Sequence, residues 1–159
     1  MILLIGGEKG GTGKSTISTN IAVTLANRGC EIIIVDCDPQ GTSTAWLTRR
    51  NKFCSNLPKV FSVQKTGDTY DTIKDLSTRY QHVIIDAGGR DSEELRTAMV
   101  ACEKMYIPLK ASQPDLDTTK HMTQLIKLAK SLSHKLDAYI IISMASTHYN
   151  LNEDQEAIH

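Results

Sequence analysis

The chain has 159 residues, of which 40% are hydrophobic and 23% charged, and its formal net charge at neutral pH is zero. This balance predicts one globular domain and excludes a global electrostatic field that would draw the chain onto nucleic acid or an anionic membrane. The four cysteines form no C-x-x-C pair, and we expect a reduced, cytoplasmic protein without signal peptide, zinc site or disulfide framework. The longest apolar runs are too short to cross a bilayer.

Short apolar runs alternate with amphipathic stretches along the chain. Strands are predicted over 1–6, 31–36, 59–64, 82–86, 104–109 and 138–143. Most of these runs are continuously apolar, as is typical of strands covered on both faces in a parallel sheet, and the weaker run over 59–64 is expected at an edge. The β-α-β order predicts an α/β fold, a mostly parallel sheet with helices on both faces and right-handed crossovers.

Helices are predicted over 15–27, 91–102 and 117–132, and a short helix is expected before Arg49. Gly29 is expected to end the first helix, Asp91 to cap the second with Glu94 completing a capping box, and Asp117 to cap the third. The final segment, "THYNLNEDQEAIH", is expected to be a loop leading into a helix. We therefore expect one domain over 1–159 that lacks a C-terminal portion.

A glycine-rich loop, "KGGTGKST", connects the first predicted strand to the first helix. Its glycines permit positive backbone angles that turn amides toward an anion, and the helix start adds about half a positive charge. Lys14 can reach the outer phosphates, the Ser15 hydroxyl can ligate Mg²⁺ and Thr16 can contact the inner phosphates. The candidate nucleotide-binding residues are Lys9, Gly10, Gly11, Thr12, Gly13, Lys14, Ser15 and Thr16.

The loop departs from the standard phosphate-binding pattern because Glu8 stands where the first glycine is expected. It matches instead the variant K-G-G-x-G-K-[ST] over 9–15, and so resembles the deviant Walker A ATPases, the ParA/MinD group of partition and positioning proteins. The resemblance implies ATP as ligand and implies that Lys9 crosses a dimer interface to the phosphates of the partner subunit. Opposite unit charges about 4 Å apart attract by roughly 4 kcal/mol at an effective dielectric of 20, enough to couple ATP occupancy to dimerisation.

Acidic residues follow two of the predicted strands. Asp36 and Asp38 lie in "IIIVDCDPQG", and Asp86 lies in "HVIIDAGG", at the edge of the sheet where ligands bind in open α/β folds. The first segment is similar to the D-x-D-P-Q motif of the same family, which implies that Asp38 activates water and that Asp36 lies near the Mg²⁺ shell. The second has the Walker B form, in which the aspartate holds Mg²⁺, and Gly88 and Gly89 make its loop a candidate switch at the γ-phosphate.

The candidate catalytic residues are therefore Lys9, Lys14 and Asp38, and the candidate metal ligands are Ser15, Asp36 and Asp86. Weaker candidates are Gln113, Pro114 and Asp115, in a loop near the dimer face or the nucleotide, or in an ordinary strand-to-helix connection. Adenine contacts are expected within "SMASTHYN". Two basic groups are candidates for DNA contacts or are simply solvated helix faces. They comprise Arg49, Arg50 and Lys52, and Lys120, Lys127, Lys130 and Lys135.

The leading interpretation is a weak Mg²⁺-dependent ATPase that acts as a switch in plasmid or chromosome partition or in cargo positioning. The resemblance implies a homodimer in the ATP state, non-specific DNA binding by that dimer, and stimulation by a ParB-type centromere-binding adaptor in the nucleoid. The recognised motifs contain no arginine that could stabilise the transferred phosphate, so the intrinsic rate of ATP hydrolysis should be slow. An ATP-dependent metabolic synthetase or small-molecule kinase is the alternative. A MinD-type membrane protein would need a C-terminal amphipathic helix, and a nitrogenase-iron-protein relative would need paired cluster cysteines.

Overall fold

A computed structural model of the chain describes residues 1–110, 119–133 and 135–145. The strands of this part are β1 (Ile2–Ile5), β2 (Ile32–Asp36), β3 (Phe61–Gln64), β4 (His82–Asp86), β5 (Lys104–Leu109) and β6 (Asp137–Ile142). The helices are α1 (Lys14–Asn27), α2 (Thr42–Phe53), α3 (Tyr70–Arg79), α4 (Glu93–Ala101) and α5 (Thr119–Leu132).

The strands form one parallel sheet in the order β3-β2-β4-β1-β5-β6. The β1 strand is central and pairs with β4 on one side and β5 on the other. The register of β2 on β4 places Asp36 directly beside Asp86, and the register of β1 on β4 places Ile5 beside Asp86. The carboxyl ends of the central strands therefore meet at one edge of the sheet.

Two hydrophobic layers hold the helices against the sheet. Side chains such as Leu4 and Ile85 pack on one face with Leu95 of α4 and with residues of α3 and α5. On the other face, Ile34 packs with Leu47 of α2 and with residues of α1. Continuous apolar strand sequences are required because both faces of the sheet are buried. The α/β prediction and the predicted strands, including the edge strand β3, are confirmed.

Several local predictions are corrected. Asp91 does not cap α4, because Ser92 accepts the N–H of Leu95 and Asp91 instead pairs with the Arg96 guanidinium. The Glu94 carboxylate, predicted to close the capping box, accepts the N–H of Gly67 at 2.8 Å. The cap at Gly29 agrees with the structure, since α1 ends at Asn27 and the Gly29 N–H donates to the Ala26 carbonyl at 2.9 Å. The predicted cap at Asp117 lies outside the described residues.

The helices near the basic groups also differ from prediction. The first basic group lies inside α2 rather than after a short helix, and its Arg50 is buried, with its guanidinium donating to the Pro58 carbonyl at 2.9 Å. Burial removes Arg50 from any DNA-contacting surface.

The α3 helix was not predicted, because its sequence "YDTIKDLSTR" is short and its buried stripe contains few apolar residues.

Candidate functional site

The phosphate loop lies between the end of β1 and the start of α1. Gly11 and Gly13 have φ angles of 72° and 86°, which side chains rarely adopt, so the sharp turn into the helix depends on glycine. The α1 helix begins at Lys14 and has no side-chain cap at its N-terminus. Its first amides therefore have no side-chain partner at the position where the sequence predicts an anion.

Lys14 is the buried cation of this loop, only 7% exposed. Its Nζ donates to the carbonyl oxygen of Lys9 at 2.6 Å, so the backbone of one predicted lysine holds the ammonium of the other. Burial lowers the pKa of Lys14, and the charges of Asp86 and Asp38 oppose that shift. The ammonium thus lies between the loop and the acidic strand ends. The side chain of Lys9 is on the exposed surface of the loop.

Asp36 and Asp86 are both buried at the carboxyl edge of the sheet. Burial raises the pKa of Asp86, as does the neighbouring charge of Asp36, while hydrogen bonds from hydroxyl groups oppose the rise. Two adjacent buried carboxylates are unfavourable without a cation, and Mg²⁺ prefers such hard oxygen ligands. The Ser15 hydroxyl lies close enough to lower the pKa of Asp86, and Asp36 pairs with Asp86 in the sheet register. The three predicted metal residues are therefore neighbours, and their oxygen donors fit a magnesium ion.

Two further serines contact Asp86 that sequence analysis did not single out. Ser43 of α2 donates to Oδ2 of Asp86 at 2.5 Å, and Ser18 of α1 donates to Oδ1 at 3.3 Å. The sequence indicated only that both serines lie close to predicted motifs: Ser18 follows Lys14 by one helical turn, and Ser43 follows the D-x-D-P-Q segment. Their contact with Asp86 spans separate elements and could not be deduced from spacing alone.

The loop after β4 packs against both other parts of the site. A Cβ on Gly88 would lie 3.6 Å from the carboxylate carbon of Asp38, which is ordinary contact. A Cβ on Gly89 would lie 2.9 Å from the backbone nitrogen of Gly10, so only glycine allows this approach. The Asp38 carboxylate itself accepts the N–H of Gln40 at 3.0 Å. The predicted switch loop therefore connects the phosphate loop to the candidate water-activating residue.

Other candidates have structural roles or lie outside the described residues. Cys37 is buried, and burial raises its pKa to about 12, so it is a packed thiol rather than a nucleophile. Two predictions fall on residues that the structure does not describe. They are the weak candidates Gln113, Pro114 and Asp115, and most of the segment expected to contact adenine. The basic residues of the second group are exposed on or after α5.

A second polar cluster lies beside the phosphate loop. His121 of α5 contacts the Glu8 carboxylate through Nδ1, and its Nε2 lies 3.9 Å from Asp91. The ligand atoms of these three residues lie within 4.8 Å of one another. Asp91 is also paired with Arg96. We therefore interpret this cluster as a structural contact that connects α5, the phosphate loop and the segment before α4.

A parallel sheet whose first strand runs through a glycine-rich loop into a helix, with aspartates at the ends of the next strands, is the architecture of P-loop nucleotide-binding domains. This chain has that architecture. Residues 3–158 match the family model described as the CobQ/CobB/MinD/ParA nucleotide binding domain, and the chain belongs to that family.

Comparison with known proteins agrees with this assignment. The chain is 29% identical over 143 residues to the maintenance of carboxysome distribution protein A of Halothiobacillus neapolitanus, covering 89% of this chain and 65% of the relative. It is similar in fold to a plasmid partition protein from Borrelia burgdorferi, with a TM-score of 0.73, 18% identity and coverage of 98% and 83%. The chain thus spans about 65% of the length of the curated relative that it matches.

A third similarity is to a biosynthetic enzyme. Cobyrinic acid a,c-diamide synthase from Mycobacterium smegmatis, solved with an ATP analogue and magnesium, matches with a TM-score of 0.79, 16% identity and coverage of 96% and 78%. At this identity the match shows a shared fold. Among the described helices, none is both long and apolar enough to cross a membrane.

Proposed function

We propose that the chain is a Mg²⁺-dependent ATPase domain that dimerises in the ATP state and acts as a switch in partition or in cargo positioning. The observation that carries the proposal is the joining of three parts at one sheet edge. Lys14 lies within the electrostatic reach of Asp86 and Asp38, and Gly88 packs beside Asp38. A cation for the phosphates, carboxylates for the metal and a carboxylate for water are therefore adjacent.

The chemistry that we infer is attack of water on the γ-phosphorus, with cleavage of the bond to the ADP oxygen. Asp38 would orient the water and accept its proton, since its carboxylate lies beside Gly88 of the switch loop and its charge acts on Lys14. Lys14 would leave the Lys9 carbonyl and pair with the outer phosphates. Bound Mg²⁺, held through Ser15, Asp36 and Asp86, would neutralise charge on the phosphate oxygens.

Substitution of Lys9, the first lysine of the phosphate loop, tests the proposed ATP-dependent dimer. The Lys9→Ala variant should bind ATP within about 3-fold of wild type but should form its ATP-dependent dimer at least about 10-fold less tightly, since it loses a charge pair of up to roughly 4 kcal/mol. Sedimentation velocity with and without MgATP measures the dimer, and calorimetry measures ATP affinity. Lys59→Ala is the matched control, because Lys59 is also exposed but lies before β3.

Equal dimer formation by Lys9→Ala and wild type would remove the cross-subunit role. An exposed lysine on a loop that binds phosphate is what such a role requires, and the partition and positioning proteins among the relatives support it.

We also propose non-specific DNA binding by the dimer and stimulation by a ParB-type adaptor, in the cytoplasm at the nucleoid. The exposed basic residues of α2 and α5 would supply phosphate contacts. A gel shift on random-sequence DNA with no nucleotide, ADP or ATP tests this proposal. Retardation confined to the ATP sample supports the switch, and equal mobility in all three samples counts against DNA binding.

A metabolic synthetase or kinase is the second candidate, and one specific observation favours it. A cavity of about 300 Å³ lies between α5 and strands β5 and β6, beside Glu8. Its lining is mostly apolar and includes the exposed Lys127 and Lys130, which would suit a small acidic substrate. Steady ATP consumption that requires an added metabolite, but neither DNA nor a protein partner, would favour this enzyme over the switch.

A further inference from the structure

The first turn of α2 is attached to both buried carboxylates of the site. Its Thr44 N–H donates to Oδ2 of Asp36 at 2.9 Å, and its Ser43 hydroxyl donates to Oδ2 of Asp86 at 2.5 Å. Since no residue of α2 itself caps the helix, a carboxylate from the end of β2 performs this function. The helix and the two acidic strand ends thus form one hydrogen-bonded unit.

Ser43 is placed to control the direction in which Asp86 points. The serine is fully buried, and its hydroxyl donates to one carboxylate oxygen at 2.5 Å. The Ser18 hydroxyl lies 3.3 Å from the other oxygen but closer, at 3.0 Å, to the Lys14 carbonyl, so its single proton is shared between two acceptors. The Ser43 hydrogen bond is therefore the stronger constraint on the orientation of Asp86. Where such a group ligates a metal, loss of a hydrogen-bonding partner around it typically lowers metal affinity by about 10–100-fold.

We propose that Ser43 is a positioning residue of the magnesium site: it orients Asp86 toward the ion and couples magnesium occupancy to the position of α2. This inference rests on the proposed Mg²⁺-dependent ATP binding, which it deepens. Neither the glycine-rich loop nor the acidic motif includes Ser43, so the proposal adds a third segment to the site.

The chain carries its own reporter for this coupling. Trp46 is the sole tryptophan and lies one helical turn after Ser43. It is 39% exposed, and together with Ser15, Thr16 and Ser43 it lines a cavity of about 110 Å³ between the starts of α1 and α2. A shift of α2 relative to the phosphate loop would change the surroundings of the indole and therefore its fluorescence.

The test is a titration of magnesium chloride into the chain saturated with a non-hydrolysable ATP analogue, followed by Trp46 fluorescence. Affinity for the analogue is measured separately in EDTA by calorimetry. The Ser43→Ala variant should raise the half-saturating magnesium concentration about 10-fold while leaving the metal-free affinity within about 2-fold. Thr48→Ala is the matched control, because that hydroxyl on the same helix bonds only the Thr44 carbonyl.

Ser43→Cys serves as a second variant, since it fills the buried position with a slightly larger side chain but donates a much weaker hydrogen bond. It should raise the half-saturating concentration in the same direction, and circular dichroism melts show whether each variant folds. A shift no larger than that of Thr48→Ala, or an equal loss of affinity with and without magnesium, would overturn the positioning role. If magnesium changes neither Trp46 fluorescence nor the calorimetric affinity of wild type for the analogue, the proposed Mg²⁺-dependent function fails as well.

Discussion

Two regions of the molecule differ in how completely the described residues bury them: the region of β2, β4 and β1, and the region of β6 and α5. Around β2, β4 and β1, the strands are buried, serine hydroxyls bond Asp86 at their carboxyl ends, and the buried ammonium of Lys14 lies within the electrostatic reach of Asp86. On the side of β6 and α5, apolar residues remain at the surface, with Ile140 at 55% exposure and Leu132 at 69%. One side is a closed polar site and the other an open apolar surface.

The difference shows that the candidate chemistry depends on only part of the chain. The phosphate loop, both buried aspartates and Asp38 all lie within the first ninety residues. The exposed residues of β6 and α5 contribute instead an apolar surface of the kind that contacts other protein segments. Substitutions on the two sides should therefore affect different measurements.

The largest effect is expected from Asp38→Asn on the polar side. Loss of a carboxylate that activates water should lower phosphate release by about 10²–10⁴-fold, whereas ATP affinity should change little. Phosphate release under single-turnover conditions and calorimetry measure the two quantities. Asp71→Asn is the control, since that exposed acid lies in the first turn of α3. Undiminished phosphate release would exclude Asp38 from the mechanism.

Gly89→Ala should have the next largest effect, because its Cβ would approach the Gly10 backbone to 2.9 Å. Such overpacking costs typically about 1–3 kcal/mol, which would appear as a lower free energy of unfolding in urea, weaker ATP binding, or both. Gly88→Ala is a close control, since its Cβ would meet its nearest neighbour at 3.6 Å. If the adjacent variants behave alike, the contact between switch loop and phosphate loop is not the cause.

A smaller, pH-dependent effect is expected at Glu94. The hydrogen bond from the Gly67 N–H lowers the pKa of Glu94 below its ordinary value of 4.5. The charged form is therefore favoured in the folded protein, and its stabilisation is present above pH 4.5 and lost as pH falls through the lowered pKa. Since the group is largely hydrated, Glu94→Gln should cost less than about 1 kcal/mol.

Thermal melts between pH 3 and pH 7 measure the Glu94 effect. The difference between wild type and Glu94→Gln should be present at neutral pH and disappear toward pH 3. Glu93→Gln, at the neighbouring exposed position, should show no such trend. A constant difference across the range would show that the charge of Glu94 is not involved.

The smallest effect on nucleotide binding is expected from Ile140→Thr on the apolar side. Ile140 is an exposed residue of β6, an outer strand among those described, so ATP affinity should stay within about 2-fold of wild type. Calorimetry with ATP checks this, and a large loss of affinity would show that the two sides are not separate. Self-association measured by light scattering should fall, since an apolar edge residue is removed.

Much of the architecture and of the site could be predicted from the sequence, for identifiable reasons. The continuous apolar runs predicted the buried strands, and the location of Asp36 and Asp86 at one edge followed from parallel strands. Their side-by-side register depends on the pairing of β2 with β4, which the sequence did not predict. The cap of α4 could not be predicted, because Asp91 and Ser92 are both good capping residues and the choice depended on Arg96.

Contacts between distant segments account for what remained unpredicted. Ser43 meets Asp86 only because α2 folds back over the end of β4, a distance of 43 residues along the chain. Arg50 looked like a surface residue beside Arg49 and Lys52, but the segment around Pro58 covers it. Helix periodicity shows which residues share a face; the partner of that face is determined by tertiary packing.

The hydrogen bond between the Lys14 ammonium and the Lys9 carbonyl has a consequence for how quickly a nucleotide can enter. A main-chain oxygen of the loop already accepts from its central cation, so a triphosphate that pairs with Lys14 must displace that oxygen before the ion pair can form. Association should then proceed through a loosely held encounter complex followed by a slower local rearrangement, giving an entry rate below the diffusion limit.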